Sequence, residues 1–87
     1  MVTVLVASIT DGDTFRTSNG EYVRLANVNA PETGTSGAPR ATLMLSLLVN
    51  GKHVQCETVA MDRGRFVCNV WYNGKSVNET MRVLGYT

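Results

Sequence analysis

The hydrophobic residues of this chain fall mainly in short alternating runs separated by turn residues. Residues 2–9, 13–17 and 21–28 are rich in β-branched and other apolar residues, and Asp-Gly and Asn-Gly pairs separate them. This pattern predicts three successive strands joined by tight turns. Residues 52–59 and 65–72 alternate in the same way, and they predict two further strands that form a hairpin.

A helix is predicted between the third and fourth strands. Its apolar residues fall at positions i, i+3, i+4 and i+7 and form one continuous face: Ala41, Met44, Leu45 and Leu48. Pro39 lies in the first turn, where a missing N–H costs nothing, and Gly51 follows the last turn. A second, short helix is predicted from the capping pattern of Ser76 and Glu79, and it ends before Gly85.

Five strands with a helix between the third and the fourth follow the order of an OB-fold barrel. The chain is therefore predicted to be a mostly-β, α+β protein: a five-stranded OB-fold barrel with one central and one short C-terminal helix. Its 87 residues, of which 44% are hydrophobic, suffice for one small core, and no repeat or linker divides them. We expect a single domain over residues 1–87.

Charge and the N-terminal segment limit the expected partners. The net charge of +1 gives no general attraction to nucleic acid, so any such attraction must be local. Residues 2–9 are apolar, but they are too short to cross a membrane and lack a basic leader, so no membrane partner is expected. Two cellular locations remain open: the cytoplasm, or the outside of the cell after export and removal of a signal peptide.

The two cysteines are interpreted as small buried hydrophobic residues. Cys56 and Cys68 lack the CxxC spacing of a zinc site. A hairpin centred near Asp62 would place them opposite each other on neighbouring strands. Because that geometry rarely suits a disulfide, we expect both thiols to be reduced unless the protein is exported.

The candidate chemistry lies around residues 11–14. Asp11-Gly12-Asp13 is an acidic turn between two strands, and Arg24 follows on the third strand, on the opposite face from Val23 and Leu25. Carboxylates next to an arginine suggest a site for a cation and a phosphate. An isolated Asp-Gly-Asp is common in ordinary turns, so the spacing of the whole set carries the argument.

These motifs together resemble a known family. The chain resembles the thermonuclease family of staphylococcal-nuclease-like domains in one four-residue motif and three pairs: Asp-Gly-Asp-Thr at 11–14, Arg-Leu at 24–25, Pro-Glu at 31–32 and Gly-Arg at 64–65. Further matches are Gly37-Ala38, Gly51-Lys52 and the segment from residue 76 to residue 86. The resemblance implies an OB-fold and a nuclease that hydrolyses single-stranded or frayed DNA or RNA with Ca²⁺.

The resemblance also implies roles for individual residues. Three positions would hold calcium, the last of them through its main-chain carbonyl: Asp13, Asn29 and Ala30. Glu32 would act near the attacking water as general base or as its orienter. Arg24 and Arg65 would bind the scissile phosphate, since a guanidinium stays charged and donates to two oxygens at once. We expect these side chains to converge on one concave patch.

Three features depart from the family pattern. Asn29 stands where the family has an aspartate, so weaker calcium binding is expected, and Arg63 stands where the family has a tyrosine. The sequence also ends at Thr87, before a C-terminal segment that covers the barrel in the family. Substrate affinity or stability is expected to be reduced unless another chain, for example in a homo-oligomer, supplies the cover.

Alternative interpretations of the same residues remain open. Asn29 could cap the turn before Pro31, Arg24 could form a salt bridge to Asp13 or Glu32, and Arg65 could simply close a hairpin. Five aromatic residues are interpreted as packing residues and not as base-stacking surfaces: Phe15, Phe66, Trp71, Tyr72 and Tyr86. The rival to the nuclease is a non-catalytic OB-fold module that binds nucleic acid or a protein partner.

Overall fold

The computed structural model describes every residue from Met1 to Thr87. In chain order its elements are β1 (Val2–Asp11), β2 (Thr14–Thr17), β3 (Tyr22–Leu25), α1 (Ala38–Val49), β4 (His53–Asp62), β5 (Arg65–Tyr72), β6 (Lys75–Ser76) and α2 (Val77–Val83). The predicted order of strands and helices is confirmed, with β6 as a short addition. β3 is shorter than predicted, because Asn27 adopts a φ of 57° that is incompatible with a continued strand.

The strands close into a barrel. Their order is β3-β2-β1-β4-β5-β6, and an additional parallel pairing joins β3 to β5. β1 pairs with β4 through its first half and with β2 through its second half, where two register shifts let the long strand curl. The OB-fold prediction is confirmed: five strands form the barrel wall, and the two helices pack against it.

The register of the β4–β5 hairpin differs from the prediction. Its turn lies at Arg63-Gly64, where φ is 53° and 77°, the combination that a two-residue hairpin turn requires. This turn and a bulge between Thr58 and Ala60 place Cys56 opposite Val70 instead of Cys68. Because the shift is an even number of residues, both cysteines still face the core.

The burial predicted for the two cysteines is confirmed. Cys56 and Cys68 are 3% and 1% exposed, and both sulfurs are free. A hydrogen bond to Cys68, together with burial, raises the pKa of the Cys56 thiol, so Cys56 remains protonated at neutral pH. These thiols behave as packing groups of the barrel interior.

The apolar core joins the barrel to both helices. α1 buries Ala41, Leu45 and Val49, and α2 buries Met81. Of the aromatic residues interpreted as packing groups, Phe15 is fully buried and Phe66, Tyr72 and Tyr86 pack against the core cluster, whereas Trp71 is half-buried. No helix has the length and apolar character needed to cross a membrane.

A buried asparagine fixes α2 to the barrel. Asn78 is 1% exposed; its Oδ1 accepts from the Val70 N–H at 2.8 Å, and its Nδ2 donates to the carbonyl oxygens of Ala26 and Cys68, both at 3.0 Å. The predicted cap at the N-terminus of α2 is present, because the Ser76 hydroxyl accepts from the Glu79 N–H at 3.0 Å. Asn78 therefore connects α2 to β5 and to the residue after β3.

Replacing Asn78 with alanine should destabilise the protein by about 2–4 kcal/mol, because the Val70 N–H loses its buried acceptor and the carbonyls of Ala26 and Cys68 each lose one donor. The matched control is Asn69→Ala, since Asn69 is half-buried and bonds only the exposed Glu57 side chain at 3.1 Å. We expect the control to change stability by less than about 1 kcal/mol. Urea unfolding followed by Trp71 fluorescence measures both values, and equal effects would contradict the role assigned to Asn78.

The free thiols give a second prediction. In the native protein, burial should make Cys56 and Cys68 unreactive towards a thiol reagent, whereas both should titrate after unfolding in denaturant without reductant. Ellman titration in the two states measures this. Failure to detect any thiol in the unfolded protein would show that the cysteines form a disulfide.

Candidate functional site

Gly12 allows the acidic turn to pack closely against its neighbours. A Cβ atom at Gly12 would lie 2.5 Å from the Ala41 Cβ of α1 and 2.7 Å from the Ala30 Cβ. Such distances are far below van der Waals contact, so only glycine permits this approach. The turn after β1 is thereby held against both α1 and the segment that follows β3.

The Asp13 carboxylate lies at the centre of this contact. Its Oδ1 accepts from the Thr14 hydroxyl at 2.9 Å, and its Oδ2 accepts from the Ala30 N–H at 3.1 Å. The same Oδ2 lies 3.5 Å from Nη2 of Arg24, which forms a salt bridge. Asp13 therefore joins β2, β3 and the segment around Ala30 at one point.

Arg24 and Asn29 extend the network. Arg24 Nη2 donates to Asn29 Oδ1 at 2.9 Å, and Nη1 donates to the Leu25 carbonyl at 2.7 Å. The Asn29 side chain does not cap the turn before Pro31; its Nδ2 donates instead to the main-chain oxygen of Thr87 at 2.9 Å. The salt bridge between Arg24 and Asp13, one of the alternatives open from the sequence, is present.

Arg65 lies on the neighbouring strand and has its own partner. Its Nη2 donates to Asp62 Oδ2 at 2.9 Å, so it closes the β4–β5 hairpin as one of the sequence interpretations expected. The β3–β5 register pairs Arg24 with Val67, two residues after Arg65. Because side chains alternate along a strand, Arg24 and Arg65 lie on the same outer face of the barrel.

Glu32 is exposed, and its carboxylate makes no hydrogen bond or ion pair. Its main-chain carbonyl accepts from the N–H of Thr35 at 3.1 Å and from the Thr35 hydroxyl at 2.7 Å, which orders the loop after Pro31. Of the six candidate residues, four are in direct contact: Asp13, Arg24, Asn29 and Ala30. Arg65 and Glu32 flank this group without touching it.

The two acidic residues of the turn influence each other's protonation. Burial raises the pKa of Asp11, and the hydrogen bond and negative charge of Asp13 raise it further. Burial also opposes ionisation of Asp13, but hydrogen bonds from Asp11, the Ala30 N–H and Thr14, together with the charge of Arg24, lower its pKa overall. The two neighbouring carboxylates therefore repel each other when both are ionised.

The donor atoms fit a hard cation by their chemistry. The carboxylates of Asp11 and Asp13, the amide oxygen of Asn29 and the main-chain carbonyl of Ala30 are all oxygen ligands of the type that Ca²⁺ prefers. No group of three or more His, Cys, Asp or Glu side chains is present, so the negative charge is low for calcium. Asp11 was not among the candidate ligands chosen from the sequence, although its position two residues before Asp13 places a second carboxylate next to it.

The largest surface concavity lies elsewhere. A groove of about 630 Å³ runs between Thr10, residues 33–35 and the exposed face of α1. Its lining is mostly threonine, serine and small apolar residues without a charged group. Asp13, Arg24 and Arg65 lie on the barrel face outside it, so the candidate site is an open surface and not an enclosed pocket.

The OB-fold barrel, with its acidic turn next to Arg24, has the fold that the resemblance to staphylococcal-nuclease-like domains implies. A family model described as staphylococcal nuclease homologue matches residues 22–87. The chain therefore belongs to this family, and the resemblance inferred from the sequence is confirmed. A search of curated proteins gives no match to the chain.

We expect the negative charge of the acidic turn to favour cation binding and to lower the stability of the fold. The pH dependence of Tm tests this expectation. The folded pKa of Asp11 lies above its unfolded value, so its charge destabilises the fold above that pKa, and the penalty disappears as the pH falls through it. Asp11→Asn should therefore raise Tm at pH 7 without calcium by about 2–4 °C, and the gain should shrink in acid. With added Ca²⁺, the wild type should gain substantially more in Tm than Asp11→Asn.

The matched control is Glu57→Gln, which removes one negative charge outside the site and keeps the acceptor for Asn69. It should leave Tm and the calcium response nearly unchanged. Differential scanning calorimetry between pH 3 and 7 measures all three proteins. A lower Tm for Asp11→Asn at pH 7 would contradict the assigned repulsion.

Proposed function

We propose that this protein hydrolyses phosphodiester bonds in single-stranded or frayed DNA or RNA in a calcium-dependent reaction. The observation that carries the proposal is the direct contact of Asp13 with both Ala30 and Arg24. The Arg24 guanidinium also donates a hydrogen bond to the Asn29 side chain. This contact brings oxygen donors for a cation next to a donor for phosphate. Membership of the staphylococcal nuclease homologue family supports the same reaction class.

Calcium would be held by the carboxylates of Asp11 and Asp13, the amide oxygen of Asn29 and the carbonyl of Ala30. When bound, the cation would offset negative charge on the phosphate and help to orient the reacting groups. The Ala30 N–H fixes one oxygen of Asp13, which reduces the freedom that this ligand would lose on binding. Asn29 contributes an oxygen without charge, which predicts weak calcium affinity.

The two arginines would bind the phosphate. Arg24 and Arg65 lie on the same face of adjacent strands, and their side chains are 19% and 27% exposed. A guanidinium donates in a planar fork to phosphate oxygens and can stabilise the charge that grows in the transition state. Each arginine is already paired with an aspartate, so phosphate binding would exchange one anionic partner for another.

Glu32 would position and polarise the attacking water. Its carboxylate is exposed and unpaired, and it follows Ala30 by two residues on a loop ordered by Thr35. A carboxylate in this state can accept a hydrogen bond from water and take up its proton. Movement of this loop towards Asp13 would complete the arrangement when substrate and calcium bind.

The rival function is a non-catalytic module that binds nucleic acid or a protein partner. It is favoured by the pairing of Arg24 and Arg65 to aspartates and by the neutral Asn29 at a proposed calcium position. Such a module would bind without cleaving, and it would not depend on Glu32. Variants of Asn29 and Glu32 therefore separate the two functions.

Asn29→Asp should lower the calcium concentration for half-maximal cleavage by roughly tenfold, because about 1.4 kcal/mol of added attraction corresponds to that factor. Glu32→Gln should reduce turnover by about 10²- to 10⁴-fold while calcium binding is largely kept. Calorimetry measures binding, and digestion of labelled single-stranded DNA and RNA measures cleavage.

The control for added charge is Asn19→Asp in the exposed turn between β2 and β3, which should leave calcium dependence unchanged. The nuclease proposal is wrong if Asn29→Asp binds no more calcium than the parent and none of the variants cleaves either substrate. Binding of nucleic acid under those conditions would leave the module as the remaining function.

A further inference from the structure

An exposed tyrosine lies on the same face of the barrel as the proposed phosphate-binding arginines. Tyr22 at the start of β3 is 40% exposed, and the Arg16 guanidinium of β2 stacks over its ring at 5.5 Å from the centroid. The two residues are directly paired across β2 and β3. This aromatic residue was not among those considered from the sequence, because it lies next to a turn and forms no motif.

The register connects Tyr22 to the candidate site. Tyr22 precedes Arg24 by two residues on β3, so both side chains project from the outer face about 7 Å apart along the strand. β5 runs parallel to β3, and Val23 pairs with Phe66. The residues just before this pair, Tyr22 on β3 and Arg65 on β5, are therefore neighbours across the two strands. Tyr22 thus lies between Arg16 on one side and Arg65 on the other.

The charge of this face supports an anionic polymer as its ligand. Three of the eight lysine and arginine residues lie on it, Arg16, Arg24 and Arg65, and a fourth, Arg63, lies in the turn just before Arg65. Asp13 and Asp62 pair with Arg24 and Arg65, whereas Arg16 and Arg63 have no carboxylate partner. Glu21 adjoins Tyr22 in the chain and limits the charge, so phosphate contacts alone would be weak.

We propose that Tyr22 is a stacking platform for an unpaired base next to the scissile phosphate, and that Arg16 contacts the phosphate of that nucleotide. This inference rests on the proposed function, and it specifies single-stranded nucleic acid as the substrate form. A spacing of two residues along β3 matches roughly one nucleotide of an extended strand. Stacking on an aromatic ring is tolerant of sequence, but it requires a base that is free of its duplex partner.

The test measures binding without cleavage. Fluorescence anisotropy of a labelled 12-nucleotide DNA is recorded with the full chain in the presence of a chelator, for single-stranded DNA and for the matching duplex. Tyr22→Ala should weaken single-strand binding by roughly 5-fold to 100-fold, the loss expected for one stacked base. Tyr22→Phe keeps the ring and should bind within about twofold of the wild type.

Arg16→Gln tests the phosphate contact separately. It should lower the dependence of log K on log salt by about 0.7, the value for one phosphate on a single strand. The matched control is Lys52→Gln. This change also removes one positive charge and a cation–π contact, because Lys52 Nζ lies 4.8 Å from the ring centroid of Tyr72, at the opposite end of β5 from Arg65. This control should bind like the wild type, and thermal unfolding of each variant checks that it is folded.

The outcomes separate this inference from the nuclease proposal. Wild-type single-strand binding lost in Tyr22→Ala and kept in Tyr22→Phe supports the platform, whether or not the protein cleaves. Cleavage of single-stranded DNA together with unchanged binding by a folded Tyr22→Ala overturns the platform and leaves the nuclease intact. Equal losses for single strand and duplex also overturn it, since stacking needs an unpaired base.

Discussion

The parallel pairing of β3 with β5 is the contact on which the rest of this structure depends. Three residue pairs, from Val23 and Phe66 to Leu25 and Cys68, convert an open meander into a closed barrel. The same pairing brings two arginines that are forty-one positions apart in the sequence onto one face. Asn78 reinforces the closure, because it bonds the carbonyls of both Ala26 and Cys68.

The acidic turn adds a local cost to this stable frame. Gly12 packs so tightly that the two flanking carboxylates are held close to each other and against Ala30. The repulsion between these carboxylates would be relieved by the cation that the proposed function requires. Arg24 offsets part of that charge, and its contact with Asn29 extends the network to Thr87.

Local patterns predicted most of the fold. The strand runs, the proline in the first turn of α1, the glycine after its end and the Ser76 cap each depend on residues close in sequence, and each is observed. The predicted register of the β4–β5 hairpin was wrong, because the turn at Arg63-Gly64 and the bulge near Thr58 depend on backbone angles that the apolar pattern does not encode.

For the candidate site, the motif predicts residues but not the contacts that they make. The bond from Asn29 to Thr87 and the bond from Asn78 to Ala26 join residues that are 58 and 52 positions apart in the chain, so no local pattern predicts them. Tyr22 was not considered from the sequence for a related reason: its neighbours on the barrel surface come from β2 and β5, and only the register reveals them.

The central claim is that this barrel carries a calcium-dependent phosphodiesterase, and digestion of single-stranded DNA tests it most directly. Purified protein is incubated with end-labelled DNA in Ca²⁺, in a chelator, and in Ca²⁺ restored after chelation. The account predicts cleavage in Ca²⁺, none in the chelator, and recovery when Ca²⁺ is returned. Intact DNA at every calcium concentration, or equal cleavage in the chelator, would contradict it.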